Sequence, residues 1–210
     1  DNPCYQIQML NKTKNGEKDK NILKCKNFAQ SFKNTKIMDI GEIGFSEGIY
    51  FIIGENGVGK STFIKKMAKL LKGKSFYCGN EIKRSYEYIS MVMQDVNYQI
   101  FTESVWSEIS IVSQDDAKKE RVLKELMLYD KKDSHPQSLS GGEKQRLMIA
   151  LAIVSLKPIV ILDEPTSGLC KGQMASTVKY LQKMKEEGKT VIVITHDYEF
   201  IKECNCLLYT

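Results

Sequence analysis

The run Ile49-Tyr50-Phe51-Ile52-Ile53 is continuously apolar and stops at a glycine, Gly54. A strand with apolar residues on both faces belongs inside a parallel sheet that helices cover on each side. Ser61 to Leu71 follows with Phe63, Ile64, Met67, Ala68, Leu70 and Leu71 at helical spacing. The expected order is therefore strand, glycine-rich loop, helix, which commits the chain to an α/β architecture.

The loop between them is Gly54-Glu55-Asn56-Gly57-Val58-Gly59-Lys60-Ser61, which fits G-x-x-x-x-G-K-[ST] in the strand-to-helix context that this pattern needs. Its glycines let successive backbone N–H groups turn inward around an anion, and the helix N-terminus adds its dipole. Lys60 is expected to neutralise β- and γ-phosphate charge and Ser61 to ligate magnesium. Thr62 is expected to be a further phosphate neighbour, and Asn56, Gly57 and Gly59 to line the nucleotide.

The second half alternates again: a helix from about Glu143 to Ser155, a strand at Ile159 to Leu162, a helix from about Gly172 to Glu187 and a strand at Thr190 to Ile194. An open α/β sheet places its chemistry outside the C-terminal ends of its strands. Asp163 and Glu164 stand at one such end. Asp163 suits magnesium held through water, and Glu164 suits the base that orients or activates an attacking water. Gln94, just past the apolar segment Tyr88 to Met93, could contact magnesium and the same water. His196 follows the last strand, where an imidazole can donate to the γ-phosphate or hold the water-positioning carboxylate. His135, in a polar loop before Pro136, is expected to do neither. Leu139-Ser140-Gly141-Gly142-Glu143 opens a helix and makes a second anion-binding N-terminus. A chain that already has one such site points to use of the second in trans.

Composition narrows the partners. The chain has 210 residues, a net charge of +5 and no apolar stretch long enough to span a membrane. The run Lys12 to Lys26 is Lys-rich and Arg-poor, a solvated lead-in rather than a nucleic-acid arm. Six cysteines without paired or zinc-like spacing suit reduced thiols in a cytosolic compartment. Met91, Met93, Met127 and Met148 are expected in the core. The chain begins at Asp1 without an initiating Met, so it is expected to be part of a longer one.

On these motifs the sequence resembles the ATP-binding cassette family. Gly54 to Thr62 looks like its Walker A, Ile159 to Glu164 its Walker B, Leu139 to Gln145 its signature motif, Gln94 its Q-loop residue and His196 its switch histidine. Phe32 stands where the family places an aromatic that stacks on adenine. The resemblance covers roughly Ile22 to the C-terminus. It implies a P-loop NTPase core with an N-terminal antiparallel β subdomain and an inserted α-helical subdomain at about 96–139, after a lead-in at 1–21. It also implies Mg2+-dependent ATP hydrolysis in a head-to-tail dimer, with ATP sandwiched between Lys60 of one cassette and Ser140-Gly141-Gly142 of another.

The further implication is an ABC transporter cassette on the cytoplasmic face of a membrane, powering transport through a transmembrane partner, with no direct nucleic-acid contact. The short span from Gln94 to Ser140 leaves no room for a coiled-coil arm. Gln99-Ile100-Phe101-Thr102-Glu103-Ser104-Val105 is similar to a run in cobalt and vitamin importers of the energy-coupling-factor type. A soluble cassette acting on ribosomes or nucleic acid, or a low-activity regulatory cassette, are the alternatives. Two departures stand out: Cys170 where the family has Asp, which bears on full activity and on symmetric coupling of paired sites, and an early end at Thr210.

Overall fold

The computed structural model describes residues 8–10, 22–32, 35–54, 57, 59–93, 95, 99–166, 169 and 171–207. Strands β1 (Gln8–Leu10), β2 (Leu23–Phe32), β3 (Thr35–Phe45) and β4 (Gly48–Ile53) lead to helix α1 (Lys60–Met67). Then come β5 (Lys74–Tyr77), β6 (Asn80–Glu81) and β7 (Ile89–Val92), followed by α2 (Val105–Val112), α3 (Asp116–Glu125) and α4 (Gly141–Val154). The chain closes with β8 (Ile159–Asp163), α5 (Lys171–Glu186), β9 (Thr190–Ile194) and α6 (Tyr198–Leu207).

Two sheets result. The first has the order β1-β4-β9-β8-β7, with β4, β9, β8 and β7 parallel and β1 antiparallel at the edge of β4. The second is antiparallel, in the order β3-β2-β5-β6. Alternate residues of each parallel strand serve different cores, as the two-residue period of a strand requires. Ile49, Phe51, Val160, Leu162, Val191 and Val193 pack toward α4, α5 and α6. Tyr50, Ile52, Ile159, Ile161, Ile192 and Ile194 pack on the other side against α1 and the second sheet. Phe63 of α1 meets Phe28 of β2 edge to face at 5.5 Å, joining the two sheets through the helix. Helix α4 is apolar all round from Leu147 to Val154 and is buried along that length, as such a helix must be.

Several expectations are corrected. The helix expected to run to Leu71 ends at Met67, and Leu70 and Leu71 are 57% and 43% exposed. Lys69, at φ 60, turns the chain out, with Lys69 N–H donating to Lys66 O and Leu70 N–H to Lys65 O. This is a Schellman end, which apolar spacing does not register. Met127 is not core: it is 76% exposed at φ 55, in the same position past α3. Residues 8–10, inside the expected lead-in, pair with β4; three residues are too few to show strand alternation. The β5–β6 hairpin turns at Cys78-Gly79, both with positive φ, so Gly79 is the glycine of a two-residue turn whose first position holds Cys where Asn is usual.

Candidate functional site

The parallel register brings β4, β9 and β8 to a common edge: Ile52 pairs with Ile194, and Ile194 with Asp163. The segments leaving the C-terminal ends of these strands must therefore converge. A cleft of about 270 Å³ opens there, lined by Gly57, Gly59, Lys60, Ser61 and Thr62 on one side and by Asp163, Glu164 and His196 on the other. Gly57 and Gly59 hold φ 82 and φ 101, conformations that an L side chain resists. Gly59 is the N-cap of α1, whose first turn carries no acidic residue, so no carboxylate of that turn competes with an anion for the positive end of the helix dipole. Lys60 is 7% exposed and its Nζ donates to Gly54 O at 2.6 Å, which folds the ammonium over the loop.

The opposite wall is acidic. Burial and the neighbouring Glu164 charge push the Asp163 carboxyl above the usual range, while Lys65, Lys60 and a hydrogen bond with Ser61 pull it down. Glu164 is 8% exposed, and its Oε1 lies 2.8 Å from Nδ1 of His196, whose own side chain is largely open to solvent. Glu164 also sits at φ 51. Its backbone N–H donates to Ile194 O at 2.9 Å, and its carbonyl accepts from Gln145 Nε2 at 3.4 Å.

Ser140, Gly141 and Gly142 of the signature segment are not among the residues lining this cleft, whereas Gln145 at the segment's end bonds to Glu164. Ser140 caps α4 in a reciprocal box: Glu143 Oε2 accepts from the Ser140 N–H at 2.8 Å and from its hydroxyl at 2.9 Å. Lys131 adds a bond to Glu143 Oε1 at 2.5 Å. Lys131 first, then Ser140, hold the Glu143 carboxyl down at about 2.

Gln94, Asn56 and Cys170 lie outside the described residues, and Phe32 is described only as the backbone end of β2. His135 caps a 3-10 turn by accepting from Gln137 N–H, a local structural role. Three polar anchors carry no individual signal in the sequence. Gln99 accepts from Met93 N–H and donates to Met91 O, both at 2.8 Å. Glu108, 3% exposed, accepts from Phe101 N–H, Thr102 N–H and the Thr102 hydroxyl. Gln145 is the third. Only the placement of Gln99 within the Gln99–Val105 run, and of Gln145 at the end of the signature segment, could have drawn attention to two of them.

A glycine-rich loop after a buried parallel strand, facing two strand-end carboxylates and a strand-end histidine, defines a P-loop nucleotide-binding protein. Residues 45–167 match the family model described as ABC transporter, and the chain belongs to that family. A Treponema denticola protein, provisionally named an ABC transporter ATP-binding protein, is 44% identical over 161 residues, covering 73% of this chain and 33% of that protein. A Pyrococcus furiosus protein of the same provisional name is 32% identical over 178 residues, 77% of this chain and 68% of that protein. The chain thus spans about a third of the Treponema relative's length.

Among solved structures, cbiO1 from Clostridium perfringens, described as part of the ABC transporter complex cbiONQ, is 29% identical with a TM-score of 0.70 over 86% of this chain and 80% of that one. A dimeric bacterial ABC transporter cassette shares the fold at 23% identity, with a TM-score of 0.72 over 86% and 90% of the two chains.

Proposed function

We propose that this chain binds ATP with Mg2+ and hydrolyses it as the cassette of an ABC transporter, passing the work to a membrane-embedded partner. The observation that carries this is the single cleft joining Lys60 and Ser61 to Asp163, Glu164 and His196. The α1 N-terminus and Lys60 would hold the phosphates, with Asn56, Gly57, Gly59 and Thr62 around them. Phe32 would stack on the adenine.

The donors present fit Mg2+: the Ser61 hydroxyl and the Asp163 carboxylate are hard oxygen ligands, and a cation there would offset the burial and the neighbouring Glu164 charge that raise Asp163. Ser61 and Asp163, with Gln94 as a further contact, would hold the ion. Bound there, it would supply charge neutralisation at the β- and γ-phosphates. Glu164 would take the proton of the attacking water as its oxygen bonds to the γ-phosphorus and the bond to ADP breaks. The 2.8 Å contact to His196 supports a carboxylate held in one orientation.

Ser140, Gly141 and Gly142 would close on the nucleotide of a second cassette, and theirs on the nucleotide here, in a homodimer or a pair of unlike cassettes. The likeness to cbiO1 and the Gln99–Val105 run support an importer of a small molecule such as a metal ion or vitamin, seated on the cytoplasmic face of the membrane. Among the described residues no helix is long and apolar enough to cross a membrane, so the membrane-spanning part of this assignment falls to a partner or to other segments.

Glu164→Gln tests the central assignment. It should lower ATP turnover at least about 10²-fold, the scale of losing a general base, and accumulate an ATP-bound dimer on size exclusion. Turnover close to that of the parent protein would overturn it.

A further inference from the structure

Glu164 has a backbone that its own sequence opposes. A non-glycine residue at φ 51 is strained, and Pro165 biases the residue before it toward extended conformations. Such a residue keeps its conformation only where its surroundings hold it. Three contacts do so: its N–H on Ile194 O, its carboxylate beside His196 Nδ1, and its carbonyl under the Gln145 side-chain amide at 3.4 Å.

Gln145 is the unexpected member of this set. It is 4% exposed on α4, just before the fully buried apolar stretch from Leu147, where packing alone would favour an apolar side chain. An amide there is explained by the carbonyl it reaches, which is buried and needs a donor. Catalytic hydrogen bonds that are long in an unliganded site can tighten in the reacting complex.

We propose that Gln145 is a positioning residue for hydrolysis: from α4 it holds the Glu164 carbonyl and so fixes the direction in which the carboxylate meets the water. The inference rests on the assignment of Glu164 as base. Helix α4 opens at Ser140, so the helix whose end would receive the partner cassette's nucleotide also carries the residue that sets Glu164 in this chain's own site.

The test uses the full-length protein assembled with its pairing cassette. Gln145→Met keeps length and volume and removes the donor. It should lower kcat about tenfold or more while the ATP Kd, read with Glu164 intact and Mg2+ absent, stays within twofold. In the Glu164→Gln background the same change should alter the residual rate less than twofold, because a residue acting through Glu164 has nothing left to position. A folding or packing role would instead shift ATP Kd and kcat together and multiply with Glu164→Gln.

If Gln145→Met melts below the assay temperature, Gln145→Asn, which retains the amide but is one methylene too short, is measured identically. A kcat within twofold of the parent, or losses that multiply, overturns the positioning role. Full turnover in Glu164→Gln alone would instead overturn the base assignment.

Discussion

Glu108 offers a direct measure of what holds the entrance to the helical lobe. Its Oε2 accepts from Phe101 N–H at 3.1 Å, Thr102 N–H at 2.9 Å and the Thr102 hydroxyl at 2.7 Å, with the residue only 3% exposed. Glu108→Ala removes all three acceptor contacts. The hydroxyl has an alternative in Ser104 O at 3.0 Å, and Phe101 is open to water, so the unrecovered loss falls mainly on the Thr102 N–H. Hydrogen bonds to a charged group contribute about 1.5–3 kcal/mol each, less what hydration returns and less the desolvation that the carboxylate no longer bears. The expected cost is about 2–3 kcal/mol. Glu108→Gln keeps an acceptor oxygen of the same reach and should cost about 1 kcal/mol, the loss of charge assistance.

For a domain of this size the alanine variant should melt roughly 4–12 °C lower, and urea titration should give the same ranking. Hydrogen exchange at the Thr102 amide should accelerate in Glu108→Ala and much less in Glu108→Gln. An alanine variant within about 0.5 kcal/mol of the parent, below the expected loss of even one such bond, would refute the reasoning. So would a glutamine variant that costs as much as alanine.

Substitutions at three other sites have defined outcomes. Met127→Gly should stabilise the chain by up to about 1 kcal/mol, because it removes a left-handed side chain at the end of α3, whereas Met127→Ala should gain nothing; urea midpoints compare them. Phe63→Ala, which empties the edge-to-face contact with Phe28, should cost about 3–5 kcal/mol by the same measurement. Asp163 has a raised folded pKa, so its contribution to stability is present below the ordinary carboxylate range and is lost as pH rises through the folded value. Asp163→Asn should therefore be more stable than the parent at pH 7 without Mg2+, with the gap narrowing toward about pH 4, near the unperturbed aspartate value. Saturating Mg-ATP should reverse the order, since only the parent gains the full binding energy; melting curves at each condition decide.

Much of the site was legible because its parts are local. Lys60 and Ser61 follow a glycine pattern, Asp163 and Glu164 end an apolar run, and His196 follows another. Once such strands are parallel, their ends meet at one edge whatever the loops do. Gln145 and Glu108 are harder to find. A single polar residue in an apolar helix says nothing about its partner, and Gln145 finds its own 19 positions away. The Schellman ends at Lys69 and Met127 are hidden because a periodic pattern continues past the point where one residue turns left-handed.

What the sequence determined by itself was the inventory: a glycine-rich loop after a buried strand, the strand-end carboxylates and histidine, a Ser-Gly-Gly helix start, and the alternation that requires an α/β sheet. Periodicity, glycine torsions and strand-end chemistry are properties of neighbouring residues, so they survive in the linear order. The tertiary structure alone decided that Glu164 is held left-handed before Pro165, that His196 and Gln145 reach it from the end of β9 and from α4, and that Ser140 stays out of the cleft at Lys60. Those depend on strand register and on the close packing of α4 against the sheet. Both are completed by contacts between residues far apart in the chain, which the local pattern restricts without naming the partners.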